Sequence, residues 1–166
     1  MTADRLPPDP DLCLTTARLR LVPLVAADTE DLLPVLGDER LYRFIGGGPP
    51  SPADLRSRFS TWQSRIAPDG SELWLNWTVR LLADDVAVGY LQATVAEGEA
   101  TIAYVIGTSW SGSGVATEAV RGMVQLLRDR LGVIRIVAHI HPQHAASAGV
   151  ARHAGLSATG VFDDDG

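Results

Sequence analysis

The sequence predicts an α/β fold, with a mixed, mostly antiparallel twisted sheet and helices on both of its faces. Short apolar or alternating runs typical of strands are interleaved with longer segments of helical periodicity. Three of these runs follow one another with only short turns between them, which is the pattern of an antiparallel meander. A long helical segment then separates two further apolar runs, and such a crossover implies parallel strands with a right-handed connection.

Length and composition indicate one domain. The chain has 166 residues, of which 46% are hydrophobic and 20% charged, as in ordinary globular domains. We divide it into a flexible lead-in at residues 1–12, rich in proline and aspartate, and a single domain at residues 13–166. No apolar run approaches the ~20 residues of a membrane span, and the lead-in lacks the apolar centre of a secretion signal. We therefore expect a cytoplasmic protein that does not bind membranes.

Charged and metal-binding residue types narrow the class of function. The net charge of −6 at pH 7 argues against a nucleic-acid binder that works through phosphate contacts. All 14 basic residues are arginine, so lysine chemistry is excluded, and the single cysteine, Cys13, excludes an internal disulfide. The histidines lack the spacing of metal ligands, apart from a weak His139-x-His141-x-x-His144 pattern, so we expect no metal.

The first half of the chain is predicted to begin with a strand at residues 14–24 and a helix at residues 28–37. A short helix or turn at 38–45, a glycine-proline loop at 46–50 and a second helix at 51–66 follow. Pro23 ends the strand. Asp28 is placed to cap the first helix, which Gly37 ends. Ser51 followed by Pro52 has the residue types of a helix start.

The second half contains the meander, the crossover and a final pair of elements. We predict strands at residues 73–80, 86–95 and 100–107, a helix at 115–131, a strand at 133–141, a helix at 144–153 and a strand at 156–162. Apolar residues recur at helical spacing from Val115 to Leu131, and Gly132 follows where a helix end is expected.

Two glycines, Gly112 and Gly114, lie between the central strand and the long helix. Glycine permits positive φ and lets a ligand approach the backbone closely. Free amides and a dipole of about half a positive charge at the helix start attract a phosphate or pyrophosphate. No Walker motif is present, and the dinucleotide fingerprint is incomplete. A glycine turn that binds nothing is the alternative interpretation.

The residues around this turn resemble a known family. Tyr104-Val105-Ile106, followed by Trp-Ser-Gly-Ser-Gly-Val-Ala-Thr-Glu-Ala from Trp110 to Ala119, is similar to the acetyl-CoA loop of the GNAT N-acetyltransferase superfamily, and most similar to its RimJ/RimL-like branch. The order of elements also matches over nearly the whole chain. The resemblance implies one more C-terminal strand, which this sequence does not contain, either because the protein lacks it or because the sequence is truncated. The exposed sheet edge predicts either a partner chain that covers it, giving a homodimer, or a frayed strand.

The resemblance implies an enzyme that transfers an acetyl group directly from acetyl-CoA to a primary amine, either a protein N-terminus or a small molecule. The central strand would bind the pantetheine through its backbone, and the glycine turn would bind the pyrophosphate. The residues that it assigns to acetyl-CoA are Tyr104, Val105, Ile106, Trp110, Ser111, Gly112, Ser113, Gly114, Val115, Ala116, Thr117, His144 and Ser147.

Ser147 is the predicted catalytic acid, with water as the alternative proton donor. Pro-Gln-His-Ala-Ala-Ser at residues 142–147 resembles a Pro-x-Asn-x-x-Ser pattern of the branch, whose serine lies near the sulfur of CoA, with His144 in place of the asparagine. The branch often has a glutamate base where this chain has Thr101. The nearest carboxylate, Glu99, is the candidate base, with His139, His141 or a chain of waters as alternatives.

A second function is consistent with the same sequence. Ser109, Thr101 and His144 depart from the residues typical of the family, and the last strand is missing. These departures favour a catalytically degenerate protein that binds CoA and acts through interactions.

Overall fold

The computed structural model describes residues 12–161, which form a six-stranded sheet with strands in sequence order. The strands are β1 (Leu14–Thr15), β2 (Leu19–Pro23), β3 (Leu73–Leu81), β4 (Ala87–Ala96), β5 (Glu99–Ile106) and β6 (Arg135–Ala138). Neighbouring strands are antiparallel except β5 and β6, which are parallel. The predicted mixed, mostly antiparallel sheet is therefore confirmed.

The helices are α1 (Thr29–Leu36), α2 (Tyr42–Ile45), α3 (Pro52–Trp62), α4 (Val115–Leu131) and α5 (Ala145–His153), with 3₁₀ turns at Ala26–Asp28, Glu39–Leu41 and Thr108–Trp110. No helix within residues 12–161 combines the length and apolar character needed to cross a bilayer.

Two apolar clusters show that helices cover both faces of the sheet, as predicted. One cluster packs α4 against β1–β5 and has Trp77 and Met123 fully buried within it. The other packs α1 and α3 against the opposite face, around Phe59 and Tyr90. Leu12 is buried in the first cluster, and its carbonyl accepts a 2.7 Å bond from Trp77 Nε1. The core therefore includes a residue that we had assigned to the lead-in; residues 1–11 lie outside the described range.

Polar contacts hold α1 on the sheet. Asp28 was predicted to cap α1, but its side chain makes no capping bond to that helix. Its Oδ2 instead accepts bonds from the Val25 amide at 3.0 Å and from Thr78 Oγ1 at 2.8 Å. Its Oδ1 accepts a 2.9 Å bond from Arg80, which also pairs with Asp31 at 2.8 Å. The turn before α1 is thus fixed to the middle of β3.

Several predicted boundaries are wrong. The strand at 14–24 is broken by a turn, in which the Thr16 amide bonds the Leu19 carbonyl at 2.8 Å, so β1 folds back on β2. Ser51 caps α3 as expected, accepting from the Asp54 amide, but the helix ends at Trp62, before Arg65 adopts a positive φ. The strand predicted at 133–141 shortens to β6.

The strand predicted at 156–162 is also wrong, because residues 156–161 are irregular and Phe162 lies outside the described range. Within residues 12–161, β6 is one of the two edge strands of the sheet, and β1 is the other.

A close approach of two strands requires Gly89 on β4. A Cβ at this position would lie 2.0 Å from the Val105 carbonyl oxygen and 2.9 Å from Ile106 Cα. Both are backbone atoms of β5, which cannot turn aside as a flexible side chain does. Gly89 therefore sets the contact between β4 and the last residues of β5.

We expect Gly89→Ala to lower the free energy of unfolding by about 1–3 kcal/mol, because the added methyl forces the two strands apart. Urea denaturation followed by circular dichroism measures the change. Gly149→Ala is the matched control, since its Cβ would meet only a flexible arginine end at 3.7 Å. Equal stability of the two variants would contradict the assigned role of Gly89.

Candidate active site

A gap opens between β5 and β6 where their parallel pairing stops. The two strands are in register from Glu99 opposite Arg135 to Ile102 opposite Ala138. Beyond Ile102, β5 continues as residues 103–106 and remains paired with β4, whereas the chain after Ala138 leaves the ladder. One edge of residues 103–106 is therefore open toward the gap.

Backbone amides of β5 face this gap. The Gly107 amide bonds the Val88 carbonyl of β4 at 2.8 Å. Since the hydrogen-bonding groups of successive residues in a strand point to opposite edges, Val105 also faces β4, and Tyr104 and Ile106 face the gap. These two residues present an amide and a carbonyl each to any extended group that lies along the edge.

The glycine turn forms the start of α4. Gly112 has φ +76° and Gly114 has φ +82°, a region that other residues adopt at a cost. The Ser111 and Ser113 amides are used inside the turn, bonding the Thr108 and Trp110 carbonyls. In the described part of the chain, no hydrogen bond engages the amides of Gly112, Gly114, Ala116 and Thr117.

These four unbonded amides lie at the positive end of a 17-residue helix, so together they suit an anion. The turn thus offers an anion site that is formed by some of its backbone amides and not by all of them.

An ion-paired clasp, which the sequence analysis missed, holds the turn in place. Arg18 Nε pairs with Glu118 Oε1 at 2.8 Å, while its Nη1 donates to the Ser113 carbonyl at 2.9 Å. Glu118 Oε2 accepts from Thr16 Oγ1 at 2.6 Å and from the Arg18 amide at 2.8 Å. Glu118 had been interpreted only as a partner of the helix dipole. The charge of the Arg18 guanidinium is balanced by the Glu118 carboxylate, so the clasp orders the turn without adding net charge to it.

Burial alone would raise the pKa of Glu118, but hydrogen bonds from Thr16 and Arg18 outweigh it and lower the pKa. A groove of about 530 Å³ runs beside the clasp, between Arg18, Thr117, Arg121 and His153. It provides room next to the turn for the remainder of a ligand whose anionic group the turn holds.

Ser147 and Tyr104 meet beside the gap. Ser147 Oγ donates to Tyr104 Oη at 3.0 Å, and Tyr104 Oη donates to the Ser147 carbonyl at 2.8 Å. Burial raises the pKa of Tyr104, although the bond from Ser147 opposes this, so the phenol keeps its proton at neutral pH. The sequence suggested Tyr104 only as a backbone contact, so its hydroxyl is an addition to the site.

His144 lies at the start of α5 and stacks on Phe44 of α2, with ring centroids 4.5 Å apart. Phe44 also contacts His141, at 5.3 Å. Burial and the neighbouring His141 lower the pKa of His144, so its imidazole is neutral at pH 7. The start of α5 thereby packs against α2, and Phe44 covers one face of the His144 ring.

Glu99 lies at the far end of β5. Its Oε2 pairs with Arg135 at 2.6 Å, in the first pair of the β5–β6 ladder. At a rise of about 3.3 Å per residue it stands ~13 Å along the strand from Ala103, where the gap opens. This placement argues against Glu99 as the base. Thr101 and Ala103, on the same side of β5, are exposed. Within residues 12–161 no cluster of three or more acidic, histidine or cysteine side chains is arranged to hold a metal.

Comparison with known proteins agrees with this geometry. Residues 18–157 match the family model for the acetyltransferase (GNAT) domain. The chain belongs to the GNAT acetyltransferase family. This confirms the predicted family and enzyme class. No curated protein matches the sequence.

Solved GNAT structures share the fold at low sequence identity. An acetyltransferase from Bacillus anthracis superposes with a TM-score of 0.77 at 20% identity, covering 90% of this chain and 86% of its own. A candidate ribosomal-protein-serine acetyltransferase from Vibrio cholerae gives 0.73 at 18% identity, covering 89% and 84%. AAC(6')-Ib, in complex with paromomycin and acetyl-CoA, gives 0.73 at 21% identity, covering 89% and 88%.

We expect Glu118→Gln to lower the free energy of unfolding at pH 7 by about 1–2 kcal/mol, because charge-assisted bonds to Thr16 and Arg18 are weakened. The folded pKa of Glu118 is lowered, so the unfolded chain takes up the proton first as pH falls. The wild type then loses this stabilisation, so the difference in free energy of unfolding between the wild type and the variant shrinks below about pH 4.5. Urea denaturation at pH 7 and pH 4 measures both effects.

Glu30→Gln is the control, since its pair with Arg56 is exposed and such pairs contribute about 0–1 kcal/mol. A Glu118 variant no less stable than the Glu30 variant at pH 7 would rule out the clasp as a stabilising contact.

Proposed function

We propose that this GNAT domain transfers the acetyl group of acetyl-CoA to a primary amine. The observation that carries the proposal is the juxtaposition of two features at one end of β5: an open strand edge and, after Gly107, a turn with unbonded amides at the start of α4. A diphosphate joined to an extended pantetheine arm fits this pair of sites. The acetyl-CoA complex of AAC(6')-Ib, a protein of the same fold, supports the assignment.

Each part of the chain has a separate task. The amides of Gly112, Gly114 and Ala116 bind the diphosphate, and Arg18 holds the turn that presents them through its bond to the Ser113 carbonyl. The edge of β5 bonds the pantetheine amides. The Ile106 amide, next to Val105, points into the gap and polarises the thioester carbonyl. The remaining predicted contacts, among them Trp110, Val115, Thr117 and His144, are proposed on the family resemblance.

The reaction exchanges one bond for another. The amine nitrogen, free of its extra proton, attacks the thioester carbon; the new C–N bond forms, the C–S bond breaks, the nitrogen loses one more proton and the sulfur gains one. We propose that Ser147 supplies the proton to sulfur and that Tyr104, whose hydroxyl accepts from Ser147 Oγ, positions it. Because Glu99 lies away from the gap, we assign the removal of protons from the amine to water in the open cleft.

Within the GNAT family, we propose that the chain belongs to the RimJ/RimL-like branch. The string from Trp110 to Ala119 supports it, as does the shared fold of the Vibrio cholerae protein. Acceptors of that branch include protein N-terminal amines and small-molecule amines. A homodimer and a cytoplasmic location remain predictions of the sequence analysis.

We expect Gly112→Ala to weaken acetyl-CoA binding at least tenfold, because a side chain at φ +76° shifts the turn and its amides. Isothermal titration measures the affinity. Gly132→Ala is the matched control: it lies at the other end of α4, at φ +65°, with open space around its Cβ, so the backbone strain is similar.

The control should bind acetyl-CoA as the wild type does. Equal binding by both glycine variants would refute the turn as the diphosphate site, and a wild type that does not bind would refute the proposed function.

We expect Ser147→Ala to lower kcat about 100-fold, near the lower end of what a general acid contributes, with the KM for acetyl-CoA little changed. Glu99→Gln should keep kcat within about threefold; a loss as large as that of Ser147→Ala would restore Glu99 as the base. Release of free CoA thiol over a panel of amines measures both. Tight acetyl-CoA binding without turnover on any amine would favour the degenerate CoA-binding protein instead.

A further inference from the structure

A second cavity, of about 150 Å³, lies on the face of the sheet that α1 and α3 cover. The indoles of Trp62, at the end of α3, and Trp74, on β3, form its walls. Asn76 of β3 and its cross-strand partner Gln92 of β4 line it, together with Thr94. Two carboxamides, a hydroxyl and two indoles therefore surround one small space.

Asn76 has a buried side chain with no use in the fold. It is 8% exposed, and its Oδ1 is buried without a hydrogen-bond partner. Within residues 12–161 its Nδ2 makes no hydrogen bond, but this nitrogen is not one of the buried unpaired atoms. Leaving a buried amide oxygen unpaired costs about 1–3 kcal/mol, which a leucine at the same position would avoid. A ligand in the cavity that both accepts and donates hydrogen bonds would satisfy it.

The indole walls are held in fixed orientations. Trp74 Nε1 donates to Glu72 Oε1 at 3.0 Å. Trp62 packs against Phe59 and Tyr90, with ring centroids 5.5 and 5.6 Å away. Walls that are already ordered lose little conformational entropy when a ligand binds.

The cavity and the gap share one open surface. Gln92 is directly opposite Ala103, the first residue of β5 beyond its last pair with β6. Cross-strand partners point to the same face and lie about 5 Å apart. Ala103 and Thr101 are exposed on that face. A ring seated in the cavity against Gln92 can therefore direct an amine on its edge past Ala103 toward the gap.

We propose that this cavity holds the body of the acceptor, and that the acceptor is an amine on a saturated, hydroxylated ring of the amino-sugar class. The inference rests on the proposed acetyl transfer. Carboxamides and a hydroxyl exchange hydrogen bonds in both directions with ring hydroxyls, and indole faces pack on the C–H faces of such a ring. The volume admits about one six-membered ring. No carboxylate lines this cavity, as recognition of a polycation would require.

The test uses glucosamine, with spermidine and the dipeptide Ser-Ala as acceptors of other classes. Asn76→Leu should raise the KM for glucosamine at least tenfold and keep kcat within about threefold, because it removes binding and leaves the gap intact. Its acetyl-CoA affinity should be unchanged and its urea midpoint no lower than that of the wild type. Trp62→Leu should also raise the KM. Ser60→Ala, an exposed change on α3, is the matched control.

Binding of glucosamine is also measured without turnover, by ligand-observed NMR with and without CoA. A signal that Asn76→Leu and Trp62→Leu abolish supports the cavity even if acetyl transfer fails. Two results overturn the inference: no glucosamine binding, or binding and KM unchanged in both variants. Preferred transfer to spermidine or Ser-Ala would overturn the ring class. Failure of acetyl-CoA to bind would instead overturn the proposed function.

Discussion

The site depends on the early end of the parallel ladder between β5 and β6. Pairing stops at Ile102, yet β5 runs on to Ile106 because β4 still holds its other edge. Residues 103–106 therefore keep a strand conformation with one set of backbone groups free for water or for a ligand that completes the pairing. The same strand leads directly through the glycine turn into α4. Chain connectivity alone thus brings a strand edge and a helix N-terminus to one place.

The two faces of the sheet carry different parts of the proposed site. Tyr104, Ser147 and the clasp of Arg18 with Glu118 lie on the side of α4 and α5, whereas Asn76 and its cavity lie on the side of α1 and α3. Thr108 links the two sides at the start of the turn.

Thr108 Oγ1 bonds Asp38, from the segment before α2, and accepts a 2.9 Å bond from Arg40. Bonds from Arg40 and Thr108 hold the pKa of Asp38 well below its usual range. The segment before α2 is therefore tied to the glycine turn, which we propose as the anion site.

The strand order, the crossover and the glycine turn could be predicted because each rests on local patterns: alternation in β3, helical spacing in α4, and glycines where φ is positive. The clasp could not, because Thr16 and Arg18 lie about a hundred residues from Glu118, and a charge pair has no periodicity. The role of Asp28 was missed for a similar reason, since a residue typical of caps had a stronger partner in Arg80. Glu99 was chosen as the candidate base for its sequence proximity to Thr101, which does not show how far the strand extends between Glu99 and the gap.

The groups at the gap also limit what chemistry the chain can contribute. A backbone amide, a serine hydroxyl and a phenol that keeps its proton are uncharged across the neutral range. Such a site accelerates transfer chiefly by holding the thioester and the amine in reach of each other, and by directing fixed dipoles at the carbonyl oxygen. The acceptor must then arrive as the free amine, so the pKa of the amine, rather than that of a protein carboxylate, governs the rate near neutrality. The neutral cavity beside Asn76, which we propose holds the body of the acceptor, suits this mechanism because it leaves the amine nitrogen in water.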